Sequence, residues 1–242
     1  MVKPKHTFPS QKLHEDLRAI IASAQPGQKL PAEPELARQL GVARATLREA
    51  MRIFEAQGML YRRQGSGTVV IRPHIIDTGL EVLESIETLA DRIGLSVMMG
   101  ELKVEYGDPR EDETDALGLA PDSKVTRVMR VIRSEGHPVA YLIDVLPEDI
   151  LSPEELGNHF SGSVLDLLLK RGAPPLSQSR TELNAITASA EIAKPLGVQR
   201  GDVLLRLSAQ LYATNGRVVD YSFSYFLPGY FRFHIVRRVG GL

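Results

Sequence analysis

Three arginines recur at every fourth position in one stretch of the sequence, namely Arg44, Arg48 and Arg52. In an α-helix this spacing places all three guanidinium groups on one face. The surrounding residues 38–72 contain seven arginines and two glutamates, whereas the whole chain has 29 basic and 30 acidic residues. A strongly basic helix face on an otherwise slightly acidic protein indicates a surface that binds the phosphates of a nucleic acid.

The apolar residues between these arginines define the helix that would carry them. They recur at i, i+3, i+4 and i+7, as one buried helix face requires, and they are Leu47, Ala50, Met51 and Phe54. This pattern predicts a helix over residues 43–57, preceded by a shorter helix and a tight link. Beyond Gly58, which suits a helix C-terminus, extended runs at 59–63 and 68–71 flank a glycine-rich turn. That arrangement is typical of a β-hairpin.

This order of elements resembles the winged helix-turn-helix of the GntR family of bacterial transcription regulators. The resemblance is carried by Leu30-Pro31-Ala32-Glu33, Glu35-Leu36-Ala37, Leu40-Gly41-Val42, Arg44, Thr46-Leu47-Arg48-Glu49-Ala50, Glu55, Gly58 and Gly65-Ser66-Gly67-Thr68. It implies that the helix 43–57 enters the major groove of double-stranded DNA, and that the hairpin follows the adjacent minor groove or backbone. Pro34 departs from the pattern, because the family usually has a DNA-contacting arginine there.

The DNA-binding residues implied by this resemblance lie on the helix and the hairpin. They are Arg44, Thr46, Arg48, Arg52, Arg63, Gln64, Gly65, Ser66, Gly67 and Thr68. One such module is too small for tight and selective binding. We therefore expect a homodimer that reads a palindromic operator, with half-sites about one helical turn apart.

Length and composition place further bounds on the protein. A chain of 242 residues is long enough for two domains. The absence of cysteine excludes a disulfide framework and a thiolate metal site. No apolar run approaches the ~20 residues needed to cross a bilayer. We therefore expect a cytoplasmic, nucleoid-associated bacterial protein, and the sequence predicts no cofactor.

The pattern changes after residue 79, and we predict a winged helix-turn-helix domain at 1–73, a linker at 74–79 and a second domain at 80–242. Seven strand-like runs alternate with short helical patterns, which predicts an α+β domain with a mostly antiparallel sheet. This half resembles the UTRA effector domain, a chorismate-lyase-like fold found in the HutC subfamily of GntR regulators. The matching residues include Val128-x-Arg130-Val131, Gly136-x-Pro138-Val139-Ala140 and Leu196-Gly197-Val198. The resemblance implies effector binding, and we expect dimerisation, in this domain.

Three residues of this domain could hold an anion. Ser85 and Ser163 stand where helix N-caps belong, and a helix start offers unpaired N–H groups to an anion. Arg130 interrupts an apolar strand, where a buried guanidinium would need a partner. The resemblance implies that these three elements bind a small anionic metabolite, although the serines could be simple caps and Arg130 could face solvent on an edge strand. Weaker candidates are Tyr212, Asp220, Ser222, Ser224 and Tyr225.

Some positions lack polar groups that the sugar-phosphate-binding members usually carry. They are Ile132, Leu142, Leu227 and Gly229. We therefore expect a smaller carboxylate, or another anion with an apolar body, because a phosphosugar would lose hydrogen-bond partners at these positions. The alternative function is a chorismate-lyase-like enzyme with an appended DNA-binding domain. No nucleophile, base and orienting residue converge in the sequence, so we predict a regulator without catalytic residues.

Overall fold

The computed structural model describes residues 9–63, 67–71, 75–156, 160 and 162–237. The chain divides into two compact units. The first comprises Met1–Ile75 with Pro228–Tyr230, and the second comprises Ile76–Leu227 with Phe231–Leu242.

The first unit contains three helices followed by a hairpin. They are α1 (Pro9–Ser23), α2 (Glu33–Gln39), α3 (Arg44–Ala56), β1 (Leu60–Arg63) and β2 (Gly67–Val70). Strands β1 and β2 pair antiparallel, and an isolated antiparallel bridge joins Lys29, before α2, to Val69 of β2. The unit has the order of elements predicted from the sequence.

The core of this unit is built from the apolar faces of its helices. It combines Leu13, Leu17 and Ile21 of α1, Leu36 and Ala37 of α2, and Leu47, Ala50, Met51 and Phe54 of α3. Leu17, Leu36 and Leu47 are fully buried. Each fully buried leucine contributes roughly 1.5–3 kcal/mol of hydrophobic stabilisation. This burial holds α3 with its opposite, basic face turned outward.

The second unit is an α+β domain. Its elements are β3 (Ile76–Gly79), α4 (Ile86–Arg92), β4 (Val97–Gly107), α5 (Glu111–Leu117), β5 (Val125–Ser134), β6 (His137–Pro147), α6 (Pro153–Leu156), α7 (Val164–Arg171), β7 (Leu176–Thr187), α8 (Ala190–Leu196), β8 (Val203–Ala213), β9 (Val218–Phe226) and β10 (Phe231–His234). Six of the strands form an antiparallel sheet in the order β4-β5-β6-β9-β8-β7. The predicted fold class is confirmed.

Helices cover both faces of this sheet. Val164 and Leu168 of α7 pack with Val128 and Leu146 on one face. On the other face, Leu117 of α5 packs with core residues of β5 and β6. Alternate residues of each strand therefore belong to two different environments, and this alternation decides which polar side chains can share one site.

The prediction of a linker at 74–79 needs correction, because Ile76–Gly79 form the strand β3. This strand pairs in parallel with β10, and Ile76 and Thr78 are both buried. The sequence around β3 shows no strand periodicity that would reveal this pairing. Its partner lies near the far end of the chain, so tertiary contact creates the strand.

Candidate nucleic-acid interface and ligand site

The basic face of α3 is accessible at the N-terminal end of the helix. Arg44 is the first residue of α3, and both Arg44 and Thr46 are exposed. Further along, the Arg48 side chain is 53% exposed and the Arg52 side chain is 24% exposed. The predicted stripe is therefore present, and its accessibility decreases along the helix.

Carboxylates of the same unit already pair with two arginines of the stripe. Arg48 Nε lies 2.6 Å from the Glu33 carboxylate, and Arg52 lies 3.0 Å from Glu49. Arg44 has no ion-pair partner among the described residues. The Glu49 carboxylate is 73% exposed, and exposed pairs contribute only ~0–1 kcal/mol, so a DNA phosphate could replace Glu49 at small cost.

Two of the predicted hairpin residues, Gly67 and Thr68, lie among the residues that the structure describes in full. Gly67 is exposed with φ of 87°, in the left-handed region that glycine adopts without strain. Thr68 is only 6% exposed, because alternation along β2 turns it inward with Val70. Its side chain therefore faces the interior of the unit rather than the solvent. The Arg63 side chain and Gln64, Gly65 and Ser66 lie outside the described residues. Pro34 is exposed in the first turn of α2.

Arg130 is the centre of a polar cluster in the second unit. Its side chain is 3% exposed on β5, an interior strand, which excludes the edge-strand alternative. The guanidinium donates to Glu87 Oε1 over 3.2 Å, to Asp144 Oδ2 over 3.1 Å and to the carbonyl of Gly162. Arg130 Nε is buried and has no hydrogen-bond partner among the described residues.

Both predicted serines are helix caps beside this cluster. Ser85 Oγ accepts from Thr88 N over 2.9 Å at the start of α4, and Ser163 Oγ accepts from Asp166 N over 3.2 Å at the start of α7. Ser85 also donates to Asp166 Oδ2 over 2.6 Å, which joins the two helix starts. The structure therefore brings Ser85 and Ser163 together with Arg130, and both serines also serve the simpler capping role.

Each half of the chain matches a family model. Residues 9–70 match the bacterial regulatory proteins of the gntR family, and residues 98–232, more than half of the chain, match the UTRA domain. The chain belongs to the GntR family. It is a DNA-binding transcriptional regulator with a UTRA domain, and the predicted HutC-type arrangement is confirmed.

Several relatives of this GntR regulator are described by name. The HTH-type transcriptional repressor NagR of Bacillus subtilis is 28% identical over 213 residues, which cover 87% of each chain. The histidine utilization repressor of Pseudomonas putida is 27% identical over 193 residues, or 78% of this chain and 75% of its own. The crystal structure of PhnF from Mycobacterium smegmatis shares the fold, with a TM-score of 0.62 at 23% identity over 94% of this chain and 100% of PhnF.

The register of the sheet separates the weaker effector candidates of the regulator into two groups. Arg130 is opposite Leu142 and Leu142 is opposite Ser224, so these residues share a face. Alternation along β9 places Asp220 and Ser222 on this face as well.

The two predicted tyrosines belong to the other face of the sheet. Tyr225 is opposite Tyr141 and stacks on it with ring centroids 6.3 Å apart. The Tyr212 hydroxyl donates to Gln210 Oε1 over 3.3 Å, and Gln210 is opposite Tyr221 on that same face. The structure does not bring Tyr212 and Tyr225 to the Arg130 cluster, so we remove them from the candidate effector site.

Three carboxylates of the cluster were not predicted from the sequence. Asp144 is a charged residue inside an apolar strand. The same feature drew attention to Arg130, so the sequence alone could have identified Asp144. Glu87 and Asp166 look like ordinary first-turn acids of α4 and α7. Only the tertiary structure shows that Glu87 contacts Arg130 and that Asp166 accepts a hydrogen bond from Ser85 at the start of the other helix. Glu87 also lines a cleft of about 340 Å³ with Asp91, Gly94, Leu95, Ser96 and Val97.

Asp220 is held in an unfavourable environment. It is 6% exposed, and its Oδ1 atom has no hydrogen-bond partner among the described residues. Burial and then the nearby Asp144 raise the pKa of Asp220 well above its ordinary value, although a hydrogen bond from the Val145 backbone and the charge of Arg130 oppose the increase. Buried groups with perturbed pKa values concentrate at functional sites, so Asp220 stays in the candidate site.

Replacement of Asp220 by asparagine should stabilise the protein near neutral pH by about 1–3 kcal/mol, because the amide keeps the shape of the side chain but removes a buried negative charge beside Asp144. The pKa of Asp220 is higher in the folded state than in the unfolded state, so folding takes up a proton between these two values. The wild type therefore loses stability as pH rises through the folded-state pKa. The advantage of Asp220→Asn should therefore grow with pH. Thermal unfolding between pH 4 and 8 measures it, with the exposed Asp115→Asn as control. A pH-independent difference would contradict this prediction.

Neither a membrane-spanning helix nor a cluster of metal ligands occurs among the described residues. No helix among them is both long and apolar enough to span a membrane. In the described part of the chain, no three His, Asp or Glu side chains lie together as a group that could hold a metal ion.

Proposed function

We propose that this regulator binds a palindromic operator as a homodimer and acts as a repressor in the bacterial cytoplasm. The exposed arginine stripe of α3 is the observation that supports DNA binding through this helix. Arg44 and Thr46 contact base edges and phosphates, and Arg48 and Arg52 lie further along the groove. The names of the relatives NagR and the histidine utilization repressor support repression rather than activation.

We further propose that residues 80–242 contain both the dimer contact and the effector site. The supporting observation is Arg130, which is almost fully buried at the meeting point of two helix starts and whose Nε atom has no hydrogen-bond partner in the described part of the chain. A buried guanidinium recognises a carboxylate or phosphate through paired hydrogen bonds. Leu142, which lies directly opposite Arg130 and is buried, supplies an apolar neighbour for the body of a small anion.

Effector binding controls the operator affinity through two arrangements of the dimer. The effector can shift this equilibrium only by the difference between its affinities for the two arrangements. A coupling of about 1–3 kcal/mol, which is typical of such systems, corresponds to a change in operator affinity of roughly 5- to 150-fold. This range sets the sensitivity that a binding assay needs.

Replacement of Arg130 by lysine should abolish the response to the effector and leave operator binding unchanged. Lysine keeps the positive charge for Asp144 and Glu87 but lacks the planar fork that binds an anion at two points. Alanine would leave buried carboxylates uncompensated, so lysine is the better test. A thermal-shift screen of small organic acids followed by gel-shift titration measures both properties. Micromolar binding of hexosamine phosphates without any response to organic acids would contradict the proposed effector class.

We assign no catalytic role to the second domain, although its fold resembles chorismate lyase. A shared fold does not carry its chemistry with it, and the polar atoms around Arg130 are arranged as ion pairs and helix caps. Incubation of the purified protein with chorismate should release no 4-hydroxybenzoate. Release of this product at enzymatic rates would overturn the assignment.

A further inference from the structure

Arg130 already binds carboxylates in the structure. Asp144 comes from the neighbouring strand β6, so the sheet itself places it beside Arg130. Glu87 comes from α4, outside the sheet, and reaches Arg130 from a different part of the domain. An anionic effector that binds Arg130 must therefore compete with groups of the protein itself.

We propose that Glu87 is an internal substitute for the effector anion, bound to Arg130 in the free protein and displaced when the effector binds. This inference rests on the proposed function, because it concerns the same Arg130 site. It adds a regulatory role for Glu87, which neither the family models nor the named relatives assign.

Glu87 and Asp144 each reach Arg130 through one carboxylate oxygen, over 3.2 Å and 3.1 Å. Glu87 makes a single contact of 3.2 Å through Oε1, to an Arg130 nitrogen that also binds the Gly162 carbonyl. Glu87 Oε2 is buried and has no hydrogen-bond partner among the described residues. An anion that used both of its oxygens on Arg130 would form the better pair.

The electrostatic environment also favours the departure of Glu87. Burial raises the pKa of Glu87, and although Arg130 opposes this effect, the nearby Asp166 and Asp144 add to it. The charged form of Glu87 is therefore disfavoured where it stands. Its side chain is 21% exposed, compared with 12% for Asp144, and it lines the cleft beside Val97. Glu87 can thus turn toward solvent, whereas Asp144 is fixed in the sheet.

Displacement of Glu87 would act on α4. The helix begins at Ile86, and Ser85 fastens its start to Asp166 of α7. Loss of the Glu87–Arg130 contact leaves this end of α4 held by fewer bonds. Because α4 follows β3 closely in the chain, it is well placed in sequence to pass a change from the effector site toward the N-terminal unit.

The test measures the binding of two simple anions, inorganic phosphate and benzoate, to the full-length protein by isothermal titration calorimetry. The informative variant is Glu87→Gln, which keeps the shape of the side chain and removes its charge. The matched control is Glu84→Gln, because Glu84 pairs with Arg92 over 2.8 Å rather than with Arg130. Arg130→Lys reports whether the anion binds at Arg130 at all.

We expect Glu87→Gln to bind at least one of the two anions about tenfold or more tightly than the wild type. The anion then no longer has to displace a charged carboxylate from Arg130. Glu84→Gln should match the wild type, and Arg130→Lys should lose binding. Equal affinity of Glu87→Gln and wild type, with binding lost in Arg130→Lys, would overturn the role of Glu87 and leave the proposed function intact. Absence of anion binding in every protein, or unchanged binding in Arg130→Lys, would overturn both.

Discussion

Replacement of Arg44, Arg48 and Arg52 by alanine in one protein should weaken operator binding by at least about a hundredfold. A single arginine that contacts a base or a phosphate contributes ~1–3 kcal/mol, and each lost phosphate contact should lower the slope of log affinity against log salt by about 0.9. The variant should remain folded. None of the three side chains belongs to the apolar core of this unit, and alanine is the best helix former.

Fluorescence anisotropy with DNA from upstream of the gene measures this effect over a range of salt concentrations. Lys12→Ala is the matched control, because it removes one positive charge from an exposed position on α1, outside the stripe. Equal affinities for the triple variant and the wild type would remove α3 from the interface.

Glu33→Gln should have the opposite effect to Arg48→Ala and strengthen binding, because it releases both Arg48 and Arg62 from an ion pair.

Replacement of Glu113 by glutamine should lower the free energy of unfolding of the second unit by about 3–5 kcal/mol, as expected when one partner of a buried ion pair is removed. The side chains of Arg127 and Glu113 are 9% and 3% exposed. Arg127 Nε donates to Glu113 Oε1 over 2.8 Å, and Arg110 N donates to Glu113 Oε2 over 2.7 Å. The variant would leave the buried Arg127 charge without a carboxylate, with the carbonyl of Asp108 still accepting a hydrogen bond from it over 2.8 Å.

The stabilisation by the Arg127–Glu113 ion pair depends on pH. Burial works to raise the pKa of Glu113, but the hydrogen bonds from Arg127 and the Arg110 backbone outweigh it and lower the pKa below its ordinary value. The stabilisation is therefore present above the unfolded-state pKa and is lost as pH falls through the folded-state pKa. Calorimetric unfolding at neutral and acidic pH measures it, with the exposed Asp112→Asn as control. A cost below about 0.5 kcal/mol at neutral pH would show that the pair contributes little.

The sequence predicted most helices and strands of this protein because their signals are local. The spacing of Leu47 and Phe54 predicted both the extent of α3 and its buried face. One of the seven strand-like runs of the second domain spans residues 97–106, and it is β4, Val97–Gly107, in the structure. Strand β3 was missed because nothing in its own residues specifies it. Pairing with β10 creates this strand, and such long-range pairing leaves no periodic pattern.

The candidate sites were predicted less completely than the fold. Arg130 and Asp220 could be singled out, because a charged residue in an apolar strand is unusual by itself. Thr68 and Tyr225 have the residue types that a binding site uses, but which face of a strand each occupies depends on register. Glu87 could not have been found, since its importance lies in a contact with Arg130 that joins two distant parts of the chain.

We expect the basic face of α3 to recognise a specific operator sequence, and a titration against two DNA duplexes shows whether it does. Purified full-length protein is titrated at low salt against the DNA upstream of its own gene and against a scrambled duplex of equal length and composition. We predict saturable binding of two chains per palindromic site, about 10³-fold or more tighter than binding to the scrambled duplex. Equal, weak binding to both duplexes, with the same salt dependence, would contradict it.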